Sequence, residues 1–226
     1  MVKDNKHTEK EGFGEVEQIL TKTEQFIENH LKTTLYVVGG IVFVILAYVG
    51  ITKFYASPRS KDAQVQIFQA QNYFSRDSFN LALNGDGNSL GFLDIIDSYG
   101  STESGKLAKY YAGICYLHLG DYDNAISYLK KFKTDDMLLA PLTKSAIGDA
   151  YVEKGNFEKA ISAYNEGLKI NTNEFTTPTI SLKLALAYEA SGNVEKAISI
   201  LKEVRSKYPS NGEIANIEKT LARISQ

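Results

Sequence analysis

The apolar positions of the chain fall into one unbroken run and several periodic segments. The run, Leu35 to Ile51, reads LYVVGGIVFVILAYVGI; it has no charged residue, and 11 of its 17 positions are Leu, Ile, Val or Phe. Each of these contributes about −0.3 to −0.6 kcal/mol at the centre of a membrane helix, so together they favour insertion by roughly 3 to 7 kcal/mol. Flanking residues extend the run to the roughly 20 residues that a bilayer core requires. The pattern predicts a transmembrane helix over residues 33–56.

The same run suits two other roles less well. A buried helix of a soluble core usually carries some polar positions on one face, whereas this run is apolar all round. A cleaved signal peptide has a shorter apolar core close to the N-terminus, whereas more than thirty residues precede Leu35. The run is therefore interpreted as a permanent anchor. Lys22 and Lys32 on one side nearly balance Lys53, Arg59 and Lys61 on the other, a count that leans slightly against a cytoplasmic N-terminus. Charge alone therefore leaves the orientation open.

Residues 1–32 form a charged tail with five Lys against seven Asp or Glu. Its apolar residues recur at helical spacing and predict an amphipathic helix that runs into the anchor. They are Phe13, Val16, Leu20, Ile27 and Leu31. Such a helix either docks on a partner or the membrane interface, or is a juxtamembrane helix without a partner; the pattern leaves both open.

Three similar segments follow further along the chain, and each begins with glycine and ends with Ala-Ile. They read Gly120-Asp-Tyr-Asp-Asn-Ala-Ile, Gly155-Asn-Phe-Glu-Lys-Ala-Ile and Gly192-Asn-Val-Glu-Lys-Ala-Ile, so the glycines are 35 and 37 residues apart. A tyrosine lies four residues before each glycine, and a small residue lies three further back. These are Tyr116, Tyr151 and Tyr188, and Gly113, Gly148 and Ala185. A repeat of this period, with small residues where two helices must approach, predicts stacked helical hairpins.

The repeats resemble the tetratricopeptide repeat (TPR) family over about residues 105–226. The resemblance implies three TPR hairpins followed by a capping helix, which we expect within Gly212–Ile224. Residues 57–104 predict a divergent helical pair, in which an apolar stripe from Ala63 to Phe74 is separated by a turn-rich loop from an apolar helix within Leu90–Tyr99. The predicted fold class is all-α: one N-terminal transmembrane helix followed by a TPR-like helical-hairpin solenoid.

Composition argues for a binding protein and against an enzyme. The net charge of −2 and the pI near 6.0 give no basic excess for nucleic acid. Three histidines and the single Cys115 form no metal-ligand pattern, and no phosphate-binding or nucleophile-elbow motif is present. A calcium-loop spacing begins at Asp86, but Leu90 stands where an oxygen ligand is needed. We expect no catalytic residue, no metal, no cofactor and no small-molecule substrate.

The TPR resemblance also implies where partners bind, because the first helices of TPR hairpins line an inner groove. The lysine and asparagine clamp by which some members hold a C-terminal carboxylate is absent, and the groove would be apolar and aromatic with an acidic edge. A partner segment would then be hydrophobic and extended or helical. Equally, the next repeat or a neighbouring helix could cover some of these side chains. The implied groove residues are Leu107, Tyr110, Ile114, Leu117, His118, Asp149, Val152, Glu153, Leu182, Leu186 and Glu189.

In overall layout the chain is similar to the YfgM-type ancillary subunits of the bacterial Sec translocon. That resemblance rests on architecture and length. It implies an inner-membrane protein with a periplasmic C-terminal domain, and it implies the translocon, periplasmic chaperones and exported clients as partners. Two alternatives stay open: a structural scaffold for an envelope complex, and a cytosol-facing adaptor similar to an organelle import receptor.

Overall fold

The computed structural model describes residues 30–225, and within them the chain forms helices and no strand. The all-α fold with TPR-like hairpins is confirmed. The chain divides into two units, residues 1–58 and 59–226. The amphipathic helix predicted in the tail lies outside the described residues, apart from its last position, Leu31.

The first unit contains an apolar helix with exposed side chains. Helix α1 spans Leu31–Gly50, and the six residues Ile51–Ala56 continue as a π-helical turn. Its most apolar stretch has a mean hydropathy of 2.3 and no buried residue; Phe43, for example, is 72% exposed. Among the described residues this helix has the length and composition needed to cross a membrane.

The second unit is a series of helices, the first of which begins two residues before the boundary between the units. From Ser57 onward they are α2 (Ser57–Ser75), α3 (Phe79–Asn84), α4 (Phe92–Tyr99), α5 (Glu103–His118), α6 (Tyr122–Lys131), α7 (Leu139–Glu153), α8 (Phe157–Ile170), α9 (Thr177–Ala190), α10 (Val194–Lys207) and α11 (Ile214–Ile224). Helices α5 to α10 pair as three consecutive hairpins, and α11 packs on the last one through Ile217 and Leu221.

The repeated Gly-Asp or Gly-Asn step builds the turn of each hairpin. The glycine has a left-handed backbone, with φ of +80° at Gly120, +69° at Gly155 and +86° at Gly192. The next residue donates its N–H to the carbonyl of the tyrosine five positions earlier, at 2.9 Å for Asp121 and 2.8 Å for Asn156 and Asn193. Its side chain then caps the second helix by accepting an N–H three residues on. One residue pair thus ends one helix and begins the next.

The segment before the repeats holds three helices where the sequence predicts two. The additional helix is α3, which ends at Gly85, where φ is +78°. Gly91 follows the loop, and its position against the backbone of Leu83 and Gly85 leaves no space for a side chain. The two glycines let the chain fold back tightly, so that Phe92 and Ile95 of α4 join one core with Ile67 of α2.

Candidate partner-binding groove

Each hairpin closes around a small residue of its first helix. A Cβ atom on Gly113 would lie 2.6 Å from Cγ of Leu129, and one on Gly148 would lie 2.5 Å from Cε1 of Tyr164. In the third hairpin, Ala185 and Leu201 share one buried cluster. These close approaches fix the first helices against the second helices.

A shallow cavity of about 260 Å³ opens between α7 and α9. Apolar atoms predominate on its walls, which are completed by Phe157 and Tyr164 of α8. Its lining residues are Asp149, Val152, Glu153, Phe157, Tyr164, Lys183, Leu186, Ala187 and Ala190. Leu186 is 40% exposed, so its side chain is available to a partner. The cavity brings together four of the predicted groove residues from two adjacent repeats.

Asp149 ties three helices together at the base of this cavity. The Tyr164 hydroxyl of α8 donates a 2.8 Å hydrogen bond to Oδ1, and the Lys183 ammonium of α9 donates a 2.7 Å hydrogen bond to Oδ2. Burial raises the pKa of Tyr164, and the charge of Asp149 and the hydrogen bond to it raise that pKa further. The phenol therefore stays protonated and keeps donating. Asp149 acts as a structural acceptor that holds the groove walls in place.

Glu153 supplies the acidic edge of the cavity. Its carboxylate is exposed and accepts a 3.3 Å hydrogen bond from the Tyr122 hydroxyl of α6. Burial raises the pKa of Tyr122, and the Glu153 charge adds to that rise. No lysine or arginine within residues 30–225 forms an ion pair with Glu153. A cationic or N–H group of a partner could therefore bind this carboxylate.

Four of the predicted groove residues of the first repeat are half-buried, and the fifth, His118, is exposed. Tyr110, Ile114 and Leu117 pack against a cluster that includes Leu129 and, from the next repeat, Ile147. Leu107 is half-buried. The ring of His118 stacks on Phe79 of α3 at 4.2 Å with an angle of 5° between the planes. In this repeat the groove positions mainly hold neighbouring helices together.

At the C-terminal end the groove positions contact the capping helix. Leu182 packs against the cluster that contains Leu201 and Ile217. Glu189 accepts two hydrogen bonds from the Arg223 guanidinium of α11, one of them at 2.7 Å. This bidentate pair lowers the pKa of Glu189 below its usual value. The Glu189 carboxylate is thus already paired within the protein.

Two polar residues of the cavity, Lys183 and Tyr164, are not among the groove residues predicted from the sequence. Lys183 lies 34 residues after Asp149 and three before Leu186, so the repeat spacing and the helical period together could have placed it beside the groove. Tyr164 takes the place of Leu129 and Leu201 in the repeat and was recognisable as a large packing residue. Nothing in the sequence pattern indicates that its hydroxyl reaches Asp149.

Other candidate chemistry in the second unit has a structural explanation. Asp86 accepts a 2.7 Å hydrogen bond from the Tyr73 hydroxyl, and the backbone N–H groups of Asn88 and Ser89 donate to its other oxygen. Cys115 is fully buried, and burial raises its pKa to about 12, which suppresses the thiolate. Within the described residues, no group of three acidic, histidine or cysteine side chains is placed to hold a metal.

Comparison with known proteins identifies the repeats. A family model described as "TPR repeat" matches residues 148–192, and one described as "Tetratricopeptide repeat" matches residues 107–136 and 181–211. Twelve chains of solved structures match. One of them is the crystal structure of MamA protein, which is 20% identical, with a TM-score of 0.50 over 78% of this chain and 90% of that chain. No curated protein matches the chain. These matches support a TPR protein, and TPR proteins are in general non-catalytic modules for protein–protein interaction.

Proposed function

We propose that this chain is a membrane-anchored adaptor whose TPR domain binds apolar segments of other proteins in the groove between α7 and α9. The observation that carries the proposal is the cavity of about 260 Å³, in which the exposed Leu186 faces a site bordered by Val152 and Phe157. Apolar surface with a few placed polar groups is typical of a recognition site. The Asp149 network supports rigid walls, which reduce the entropy lost when a partner binds.

The groove chemistry selects the type of segment. An apolar side chain of the partner fits against Leu186 and Val152, while Glu153 is available for a lysine, an arginine or a backbone N–H. A hydrophobic segment with a neighbouring basic residue satisfies both features. Since Asp149 is already paired with Lys183, the charge contributed by the groove comes mainly from Glu153.

The anchor and the layout support the proposed cellular setting. An exposed apolar helix of the length of α1 is costly in water and stable in a bilayer, which supports anchoring through residues 33–56. The similarity in layout to ancillary Sec-translocon subunits suggests the bacterial inner membrane, with residues 57–226 in the periplasm. There the domain would receive apolar segments of exported proteins and pass them within the chaperone network.

The groove is tested by site-specific photo-crosslinking in cells. A photoreactive residue replaces the exposed Ala190 at the cavity, and another replaces the exposed Ala222 on α11 as a positional control. Peptides recovered from Ala190 adducts are then synthesised and titrated against the full chain.

We expect Leu186→Glu to weaken binding of these peptides about tenfold or more, since it places a charge on the apolar wall of the groove. Leu119→Glu, at a similarly exposed leucine directly after α5, should have no effect. Equal binding by both variants would exclude this groove.

Topology is tested with a compartment-sensitive reporter fused after Gln226 in a bacterial host. A periplasmic signal would support the translocon-associated role. A cytoplasmic signal would exclude that role and leave a cytosol-facing adaptor. The composition of the crosslinked material separates the remaining alternatives: many different apolar segments indicate an adaptor for clients, whereas one stoichiometric partner indicates a scaffold.

A further inference from the structure

A second groove lies on the other side of the repeats, between the second helices of the first two hairpins. It consists of two adjoining depressions of about 120 and 160 Å³ that share Lys130, Lys144 and Ile147. Apolar residues lie beneath the two depressions; Ile170 is 47% exposed, and the others, Leu129, Phe132, Ala140, Ile147 and Ala163, are buried. Its rim is basic. The rim lysines are Lys130, Lys133, Lys144 and Lys159.

A single acidic side chain, Glu166, accompanies these four lysines in the lining. It accepts a 2.5 Å hydrogen bond from Lys144, and this bond, together with the charges of Lys144, Lys130 and Lys169, lowers its pKa below the usual value. Glu166 is therefore fully ionised at neutral pH and neutralises one ammonium group. The lining keeps an excess of three positive charges.

Two of the lysines are held in place by an aromatic ring. The ammonium groups of Lys130 and Lys159 lie 5.8 and 5.6 Å from the centre of the Tyr151 ring, and Lys130 also donates a 3.3 Å hydrogen bond to the Tyr151 hydroxyl. Neither of these lysines forms an ion pair with a carboxylate of the described residues. Restricted positive groups of this kind lose less entropy when they bind an anionic partner.

The excess of three positive charges falls to one in the next groove, whose lining holds Lys196, Lys207 and Glu203. The corresponding groove between α8 and α10 keeps a tyrosine–lysine pair, with Lys196 4.9 Å from the Tyr188 ring centre, and keeps Glu203 in place of Glu166. At the positions of Lys130, Lys133 and Lys144, however, it has Asn165, Leu168 and Ser181. The same backbone thus accepts uncharged residues at three positions that are lysine in the first groove.

We infer that the groove between α6 and α8 binds an extended, acidic protein segment with apolar side chains. Charge complementarity favours carboxylates at the lysine rim, and the exposed side chain of Ile170 offers an apolar contact to the segment. Helix α8 is 14 residues long, or about 21 Å, which matches an extended segment of about six or seven residues. A flat anionic membrane would reach the lysine rim and leave the two depressions empty, so a protein segment fits better.

The experiment uses the full-length chain in nanodiscs of zwitterionic lipid and a fluorescent heptapeptide in which Glu alternates with Leu or Phe. We expect saturable binding of this peptide, and loss of binding when every Glu is replaced by Gln. The variant Lys130→Asn/Lys144→Ser introduces the residues that the next groove has at these positions, and should weaken binding about tenfold. Raising the salt from about 0.1 M to about 0.5 M should weaken binding of the wild type more than that of the variant.

Two controls separate this groove from general charge effects and from the first groove. Lys202→Asn/Lys219→Ser makes the same change in net charge at exposed lysines elsewhere and should bind normally. Leu186→Glu, which alters the α7–α9 groove, should also bind normally. Equal weakening by the control lysine pair, or undiminished binding by the groove variant, would overturn the inference. Binding of the chain to anionic vesicles that the groove variant abolishes, with no binding of the peptide, would assign the lysines to a membrane surface and overturn it as well.

Discussion

Gly148 of α7 lies directly against the ring of Tyr164 in α8, so that a methyl group on Gly148 would be 2.5 Å from Cε1 and 2.8 Å from Cζ. The ring is 2% exposed, and its hydroxyl is bonded to Asp149, so it cannot move aside freely. The same contact that closes the second hairpin therefore also aims the tyrosine hydroxyl at the groove.

Gly148→Ala should lower the free energy of unfolding by about 1 to 3 kcal/mol, because the added methyl overpacks a buried contact. Gly212→Ala, at a glycine with open space around its Cα, should change it by less than about 0.5 kcal/mol. The double variant Gly148→Ala/Tyr164→Leu reproduces the pairing of Ala185 with Leu201 in the third hairpin. In denaturant unfolding, the double variant should lose less free energy of unfolding than the two single variants lose together. Strictly additive losses would contradict the contact.

Tyr164→Phe should destabilise the protein by about 1 to 2 kcal/mol, since Asp149 loses a charge-assisted hydrogen bond and keeps Lys183 and some water. Tyr188→Phe is the matched control, because no hydrogen bond of the Tyr188 hydroxyl is found among residues 30–225. Denaturant unfolding measures both. An equal loss in the two variants would mean that the hydroxyl of Tyr164 adds nothing to stability.

Because of the ion pair between Glu189 and Arg223, the packing of α11 on the third hairpin should weaken at acid pH. The pKa of Glu189 in the folded protein is lowered from 4.5, the bidentate bond from Arg223 being the main cause. Its stabilising contribution is therefore complete above the pKa of the unfolded carboxyl and is lost as the pH falls through the folded value. Hydrogen exchange of α11 peptides should accelerate as the pH drops below about 4.5, beyond the intrinsic pH effect. Glu189→Gln should abolish that extra acceleration, whereas Glu218→Gln, at an exposed residue of α11, should retain it.

Tyr110→Ala should reduce stability by about 2 to 3 kcal/mol, because Tyr110 packs between Tyr111 and Phe132 at ring distances of 5.7 and 5.5 Å. Leu186→Ala should cost less than about 1 kcal/mol, since the leucine is 40% exposed. Thermal or denaturant unfolding distinguishes the two. A small loss for Tyr110→Ala would show that this residue is free for partners, contrary to its packing.

Val42→Arg should release the chain from membranes. A charge at the centre of a membrane helix costs about 2.5 to 3.5 kcal/mol of insertion free energy, which offsets much of what the apolar run contributes. Val65→Arg places the same charge at an exposed residue of α2 outside the run and should leave the protein in the membrane fraction. Alkaline extraction of membranes from expressing cells measures both variants. Retention of Val42→Arg would argue against a membrane-spanning helix.

The sequence alone determined the helical hairpins, because their signals are local. A glycine at the hairpin turn, an Asp or Asn cap after it, and a small residue seven positions before it each act within one or two turns of helix, and their recurrence shows the repeat. The apolar run of α1 is equally local. The additional helix α3 was missed because its end depends on how Gly91 packs against Gly85, a contact that no periodicity indicates.

Only the tertiary structure decided which of the expected groove positions remain accessible. Tyr110 and Asp149 both lie on first helices, yet the next repeat covers the first, while the second lies at a cavity held by Tyr164 and Lys183. Glu189 meets Arg223, which is 34 residues away, and His118 at the end of α5 meets Phe79 of α3, which is 39 residues away. Helical periodicity assigns a side chain to a face of its own helix. What covers that face depends on the angle and distance between helices, and these follow from the packing of many residues at once.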